Sequence, residues 1–179
     1  TGRPSNGMCS GKGSLTTISG SSECFSSVIP RSLLRGASFN QDHEREPPPA
    51  VRQFKDKVKA ADAILIVTPE YNYSVPGVLK NAIDWASRPY GDNAWDGKPV
   101  GIMGASIGML GTGRAQYHLR QMFVFLNMFP LNQPEVMIAN ADEKFDEEGN
   151  LKDPKTTEKI KELLEALVDW TRRLKKARV

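Results

Sequence analysis

Sulfur chemistry is what this chain has least of. Among 179 residues there are two cysteines, Cys9 and Cys24, and two histidines. Neither a disulfide framework nor a Cys/His zinc spacing can be assembled from so few, so a reducing compartment, the cytoplasm, is the expected setting and no metal site is expected. Long apolar runs are absent too. No stretch of about 18 apolar residues occurs and there is no signal-peptide core, so the sequence predicts no helical membrane span. Residue 1 is Thr, which leaves the native N-terminus open. The net charge is a modest +3. Much of the basic excess lies in Arg172, Arg173, Lys175, Lys176 and Arg178, where cations complement a helix C-terminus. Without interleaved aromatics or a binding motif, that run reads as a solvated helix end, and no nucleic-acid partner is expected.

With 39% hydrophobic residues the chain is long enough for one well-buried domain and short for two, so residues 1–179 are expected to form a single domain. Residues 1–49 differ from the rest: rich in Gly, Ser and Pro, poor in periodic apolar pattern, and ending in Glu46-Pro-Pro-Pro, they read as atypical and partly irregular. From Ala50 the pattern sharpens. Val51, Phe54 and Val58 stand at helical spacing over 50–60, and Ile64, Leu65, Ile66 and Val67 make a short, mostly β-branched run predicting a buried strand over 63–68. A helix is predicted over about 75–87 with Val78, Leu79, Ala82, Ile83 and Ala86 inward. A second buried strand follows at 99–105, then a glycine loop and a helix over about 113–127 carrying Leu119, Met122, Phe123 and Leu126. Val136, Met137 and Ile138 suggest the last strand and Asp146-Glu-Glu-Gly-Asn a turn. The closing helix runs from Thr156 to Lys175, with Ile160, Leu163, Leu164, Leu167, Trp170 and Leu174 inward. Alternation of β and α elements predicts an α/β fold with a parallel sheet covered on both faces.

The most informative stretch is 69–88, a stiff polar loop between an apolar strand and an amphipathic helix. Open α/β sheets bind ligands in the crevice outside the carboxyl ends of their strands, which is where this loop falls. Pro69 and Pro76 stiffen it. Glu70, Tyr71, Asn72 and Ser74 offer carboxylate, phenol, amide and hydroxyl groups with no metal-ligand spacing and no nucleophile–base pair. Such a surface suits a flat heteroaromatic ring with several hydrogen-bonding edges. Gly104, Gly108, Gly111 and Gly113 form no Walker loop, since no Gly-Lys-Ser/Thr follows, but they stand between a strand and a helix. His118, with no paired carboxylate or cysteine nearby in sequence, reads as packing or hydrogen-bonding on its helix, and Trp85, Trp95 and Trp170 as core or interface anchors. Cys24 reads as a bystander.

The segment Thr68-Pro-Glu-Tyr-Asn-Tyr-Ser-Val-Pro-Gly-Val-Leu-Lys-Asn-Ala-Ile-Asp-Trp resembles the signature of the NADPH-dependent FMN reductase family, which includes chromate, quinone and azo-dye reductases. The likeness continues through Lys98-Pro99, the loop Gly104 to Arg114, Gln116-Tyr-His-Leu-Arg-Gln and Pro134-Glu-Val-Met, and covers roughly residues 48 to 175. The resemblance implies a flavodoxin-like open sheet, FMN as cofactor and NADPH or NADH as donor. It implies cofactor contacts at Pro69, Glu70, Tyr71, Asn72 and Ser74, and at Ser106, Gly108 and Gly113 in the loop that borders the isoalloxazine ring. Arg114 stands as a neighbour of the dinucleotide phosphates or, equally, as a surface helix residue. A homodimer or homotetramer is further implied, with helix 75–87 and Tyr117 to Gln121 near subunit contacts.

The family's phosphate loop resembles Ser-Gly-Ser-x-Arg-x-x-Ser-x-Asn. Ser19, Gly20, Ser21 and Ser26 match it, whereas Glu23 replaces the arginine and Val28 the asparagine. A carboxylate at the arginine position repels a phosphate dianion unless it turns outward. Thr1-Gly-Arg-Pro-Ser-Asn is a second candidate with no strand before it. Phe39-Asn-Gln-Asp, which resembles the segment after the family's second strand, follows the phosphate loop by about a dozen residues, so the first helix is expected to be truncated and edge strand 2 missing or irregular. The resemblance thus points to an FMN-dependent NAD(P)H oxidoreductase acting on quinones, azo compounds, chromate or similar small acceptors, with the flavin carrying the chemistry and no catalytic side chain. A flavodoxin-type electron carrier, or a cofactor-free scaffold if the altered loop cannot hold FMN, are the alternatives.

Overall fold

The computed structural model describes residues 38–177. The phosphate-loop candidates Ser19, Ser21 and Ser26, the second candidate at residues 1–6, both cysteines and the expected first helix and edge strand lie outside them.

Helix α1 (Pro49–Ala60) starts on a proline, whose fixed φ suits a first helical turn and whose missing N–H would be unpaired there anyway. Its stripe of Val51, Phe54 and Val58 is buried as the spacing predicts. Strand β1 (Ile64–Val67) follows, then the signature loop and α2 (Gly77–Ala86). Strand β2 (Pro99–Ala105) matches its expected bounds, and the glycine loop leads into α3 (Gly113–Leu126), which ends on left-handed Asn127. Two short strands, β3 (Phe129–Pro130) and β4 (Val136–Ile138), a short helix α4 (Ala141–Lys144) and the long α5 (Pro154–Ala177) complete the described chain.

Among the described residues every strand pairing in the sheet is parallel, and β2 is its axis. β1 pairs along one edge, from Ile64 opposite Val100 to Val67 opposite Met103. On the other edge β3 pairs with the start of β2 and β4 with its end. Because a strand's side chains alternate between faces, Ile64, Ile66, Val100 and Ile102 enter a core shared with α1, α2 and α3, while Leu65 and Met103 join a second cluster with Val136, Ile138 and Leu163 of α5. α5 approaches closely: a β-carbon on Gly101 would lie 3.1 Å from Leu167. Helices therefore cover both faces, as alternation predicted.

Two residues expected inside lie outside: Val67, at the carboxyl end of β1, is 49% exposed, and Val78 departs likewise. Val78 is 48% exposed, and Trp85, with Ala82, Ile83 and Ala86, is what α2 buries. Val78 shares their arc but sits in the first helical turn, where the helix leaves the core at the carboxyl edge of the sheet. Trp85 and Trp95 are core residues, and Trp95 donates its indole N–H to the Ile83 carbonyl at 3.0 Å. Phe39, in the segment after the expected second strand, packs edge-on against Trp85 with ring centroids 5.1 Å apart.

Candidate functional site

Two loops leave the sheet side by side, one after β1 and one after β2. They are in contact at their roots: a β-carbon on Gly104 would stand 2.1 Å from the Thr68 carbonyl and 2.6 Å from Thr112 Oγ1, so only glycine lets the end of β2 slip between them. Thr68 N–H also donates to the Met103 carbonyl at 3.1 Å. Pro69, Glu70, Tyr71, Asn72, Ser74, Ser106, Gly108, Gly113 and Arg114 are thereby gathered at the carboxyl edge of the sheet, the crevice that sequence reasoning singled out.

The first loop is a tight turn. Tyr71 and Ser74 exchange backbone hydrogen bonds of 2.9 and 3.0 Å, and both residues between them are left-handed, Asn72 at φ 49° and Tyr73 at φ 68°. Asparagine adopts that region readily; a tyrosine does so rarely. Tyr71 and Tyr73 are 62% and 67% exposed.

Glu70 behaves differently from its neighbours. Its side chain is 8% exposed, Oε1 accepts from Arg114 Nη1 at 2.8 Å and Oε2 accepts from the Ala115 N–H at 3.1 Å. α3 has no side-chain cap of its own from Thr112 and no acidic residue in its first turn, so Glu70 neutralises the exposed amides of that terminus from another part of the chain. Burial pushes the Glu70 carboxyl up, but the Ala115 N–H and the Arg114 guanidinium outweigh it and hold the group below the usual glutamate range. Arg114 in turn lies 3.6 Å over the Tyr73 ring, and Ser74 Oγ shares a 2.9 Å hydrogen bond with His118 Nδ1. His118 thus bonds across to the turn.

The second loop is braced from within. Ser106 Oγ donates to the Gly111 carbonyl at 2.5 Å and accepts from the Gly108 N–H at 3.3 Å, while Ser106 N–H donates to the Ile138 carbonyl. Behind it, fully buried Gln116 donates to Thr112 Oγ1 and to the Val136 carbonyl, both at 2.9 Å. The loop's tip points the other way: Ile107, Met109 and Leu110 are 77%, 84% and 55% exposed. Sequence reasoning missed Tyr73, Thr112 and Gln116 and the Ser74–His118 link. Only the one-turn spacing of Arg114 and His118 on a helix signalled that they could act on one neighbour.

The surface so formed has apolar, aromatic side chains with an amide and phenols at its rim, and no cluster of metal-ligating groups occurs among the described residues. Such a lining fits a flat, largely apolar ring with polar edges.

Comparison with known proteins agrees with this geometry. The model of the NADPH-dependent FMN reductase family matches residues 26–143. An NAD(P)H-dependent FMN reductase of Pseudomonas aeruginosa is 59% identical over 128 residues, covering 72% of this chain and 69% of that protein. A 2-hydroxy-1,4-benzoquinone reductase of a Burkholderia species is 43% identical over 134 residues, covering 75% and 73%. Among solved structures, the flavoenzyme NAD(P)H:(acceptor) oxidoreductase FerB of Paracoccus denitrificans superposes with a TM-score of 0.71 at 37% identity, covering 79% of this chain and 78% of that one.

Proposed function

The chain belongs to the NADPH-dependent FMN reductase family, and from that premise we propose that it is an FMN-dependent NAD(P)H:quinone oxidoreductase whose cofactor ring lies in the crevice between the 69–76 turn and the 106–112 loop. The net reaction takes a hydride from NAD(P)H and a proton from solvent and yields NAD(P)⁺ and a hydroquinone. Hydride acceptance and onward transfer are chemistry that bound FMN supplies. The protein's part is to receive, orient and expose it. Tyr71 and Asn72 stand free on the left-handed turn to meet the ring's edge, Gly108 leaves room for close approach, and Ile107, Met109 and Leu110 offer apolar cover. Glu70 and Ser106 act through the backbone they brace.

The observation that carries this reading is that both loops are fixed at their roots by Thr68, Gly104, Thr112 and Glu70 while their tips stay exposed. Surface of that kind is unusual unless a ligand covers it. Ser19, Ser21 and Ser26 are proposed to hold the cofactor phosphate, and Arg114 to lie near the donor's phosphates. Azo compounds and chromate are proposed as further acceptors, since an open crevice selects weakly among oxidants, and the cytoplasm as the setting.

Self-association is proposed on a separate observation. Tyr117, Val124 and Phe125 project from one side of α3 at 56%, 83% and 76% exposure, a stripe apt for a second copy of the chain. A Phe125→Glu variant of lower mass in sedimentation would support this; an unchanged mass would count against it. For the activity, quenching of FMN fluorescence tests the site, and sustained NAD(P)H oxidation with a quinone separates a reductase from a carrier, which would stop after one turnover.

A further inference from the structure

Two consecutive left-handed residues make a primed turn, for which the second position normally asks for glycine. Here it holds Tyr73 at φ 68°. A residue with a β-carbon keeps that conformation only when its surroundings enforce it. The enforcing groups all come from one face of α3. Arg114 stacks its guanidinium 3.6 Å over the Tyr73 ring, and His118, one helical turn later, meets Ser74 Oγ through Nδ1 at 2.9 Å. Glu70, immediately before the turn, fixes Arg114 from beneath at 2.8 Å and ties itself to the helix at the Ala115 N–H. The turn's own backbone supplies the Tyr71–Ser74 pair and nothing more.

We propose that Arg114 and His118 are positioning residues: acting together on Tyr73 and Ser74, they hold the 71–74 turn in its left-handed form before any cofactor arrives, so that Tyr71 and Asn72 are already presented to it. This rests on the reading that FMN enters the crevice. Ordering a four-residue turn at the moment of binding would weaken affinity, and a clamp built into the fold transfers that cost to folding. Arg114 contributes the ring stack and His118 the hydrogen bond, and the two are one helical turn apart, so the clamp needs no new backbone. His118 is half-buried on the helix surface and its loss leaves the α3 core residues Leu119 and Phe123 untouched.

Hydrogen exchange of the Tyr71 and Ser74 amides in the cofactor-free protein tests the clamp without reference to activity. His118→Ala and Arg114→Ala should each lose about tenfold or more of the protection at these two amides, with the amides of α3 unchanged. FMN dissociation constants from fluorescence quenching should rise by about tenfold in parallel. His118→Asn, whose amide nitrogen falls near the Nδ1 position, should keep both. Adding Tyr73→Gly to His118→Ala should restore exchange protection and most of the affinity, because Asn-Gly holds the turn unaided. Unchanged exchange in both single variants would overturn the proposal. So would a loss of affinity in His118→Ala with normal exchange and no rescue by glycine, which would make His118 a ligand contact. If the wild-type protein fails to bind FMN, the proposed function falls, while the exchange result still decides whether the clamp exists.

Discussion

Glu70 caps a helix that begins 43 residues after it: its Oε2 accepts the N–H of Ala115 at 3.1 Å, while Oε1 holds Arg114 at 2.8 Å. The loop after β1 and the helix α3 are therefore one unit, and the carboxylate that joins them is ionised in the folded state. The folded group titrates lower than the unfolded one, so the unfolded chain binds more protons between the two values and stability rises with pH across that window. Its contribution is complete above the unfolded value of about 4.3 and is lost as pH falls through the folded value. Glu70→Gln should cost about 1–2 kcal/mol at pH 7 and progressively less below about pH 4, where wild type loses the same charge. Urea midpoints at several pH values check this, and a gap that stays constant into acid would contradict it.

The two glycines at the ends of this unit should respond oppositely. Gly104→Ala places a β-carbon 2.1 Å from the Thr68 carbonyl and 2.6 Å from Thr112 Oγ1, both buried, so the roots of the two loops must part. A loss of about 3 kcal/mol or more is expected, together with weakened FMN retention. Gly77→Ala meets nothing within 4 Å at the first residue of α2 and should be neutral or stabilising by up to about 1 kcal/mol. Thermal melts of the two variants measure the contrast.

Tyr71→Ala with Asn72→Ala should reduce flavin retention while largely sparing the fold, since both side chains are exposed and the turn is closed by the Tyr71 backbone pairing with Ser74. The alanine at φ 49° adds local strain, on the order of 1 kcal/mol. Asn72→Gly relieves the strain but still lacks the amide, so comparing Tyr71→Ala/Asn72→Gly with the alanine pair separates turn geometry from ligand contact. Equal FMN affinity in wild type and both double variants would remove these residues from the site.

Lys55 offers a control remote from the crevice. It is 6% exposed, donates to Asp92 Oδ2 at 2.6 Å and to the Arg88 carbonyl, and Asp92 also meets Lys59 at 2.5 Å. Lys55→Met leaves the part-buried Arg88 carbonyl without its Lys55 donor and should destabilise by about 1–3 kcal/mol. FMN affinity should not change, because the pair ties α1 to the chain beyond α2 and touches neither loop.

Glu23 stands where the family pattern carries arginine. Glu23→Arg should tighten FMN binding about tenfold, as a charge-assisted contact replaces a repulsion. An affinity that falls would mean that the phosphate sits elsewhere.

Much of this was legible in the sequence, and for identifiable reasons. Ile64 and Ile66 of β1 and most of Pro99 to Ala105 are buried in a parallel sheet, so their apolar runs marked them as strands, although Val67 at the carboxyl end of β1 is half exposed. Leu119, Phe123 and Leu126 marked α3 by period alone. Strand-end position then located the crevice before any side chain was placed. Three things were not legible. Val78 fits the inner arc of α2 by period, and only the end of the core leaves it exposed. The split edge formed by β3 and β4 depends on pairing with β2, which no local pattern records. Glu70, Tyr73, Ser74 and His118 carried no local sign of their partners, because each partner lies more than 40 residues away. Long-range contacts of that sort are decided by the fold.

The account stands or falls on whether a flavin ring occupies the crevice between Tyr71 and Met109. Titration of the purified protein with FMN, followed by quenching of flavin fluorescence in wild type and in Tyr71→Ala/Asn72→Gly, addresses that directly. Saturable quenching in wild type that weakens by about tenfold or more in the variant is the expected result. Absence of quenching in wild type, or identical curves for the two proteins, would contradict it.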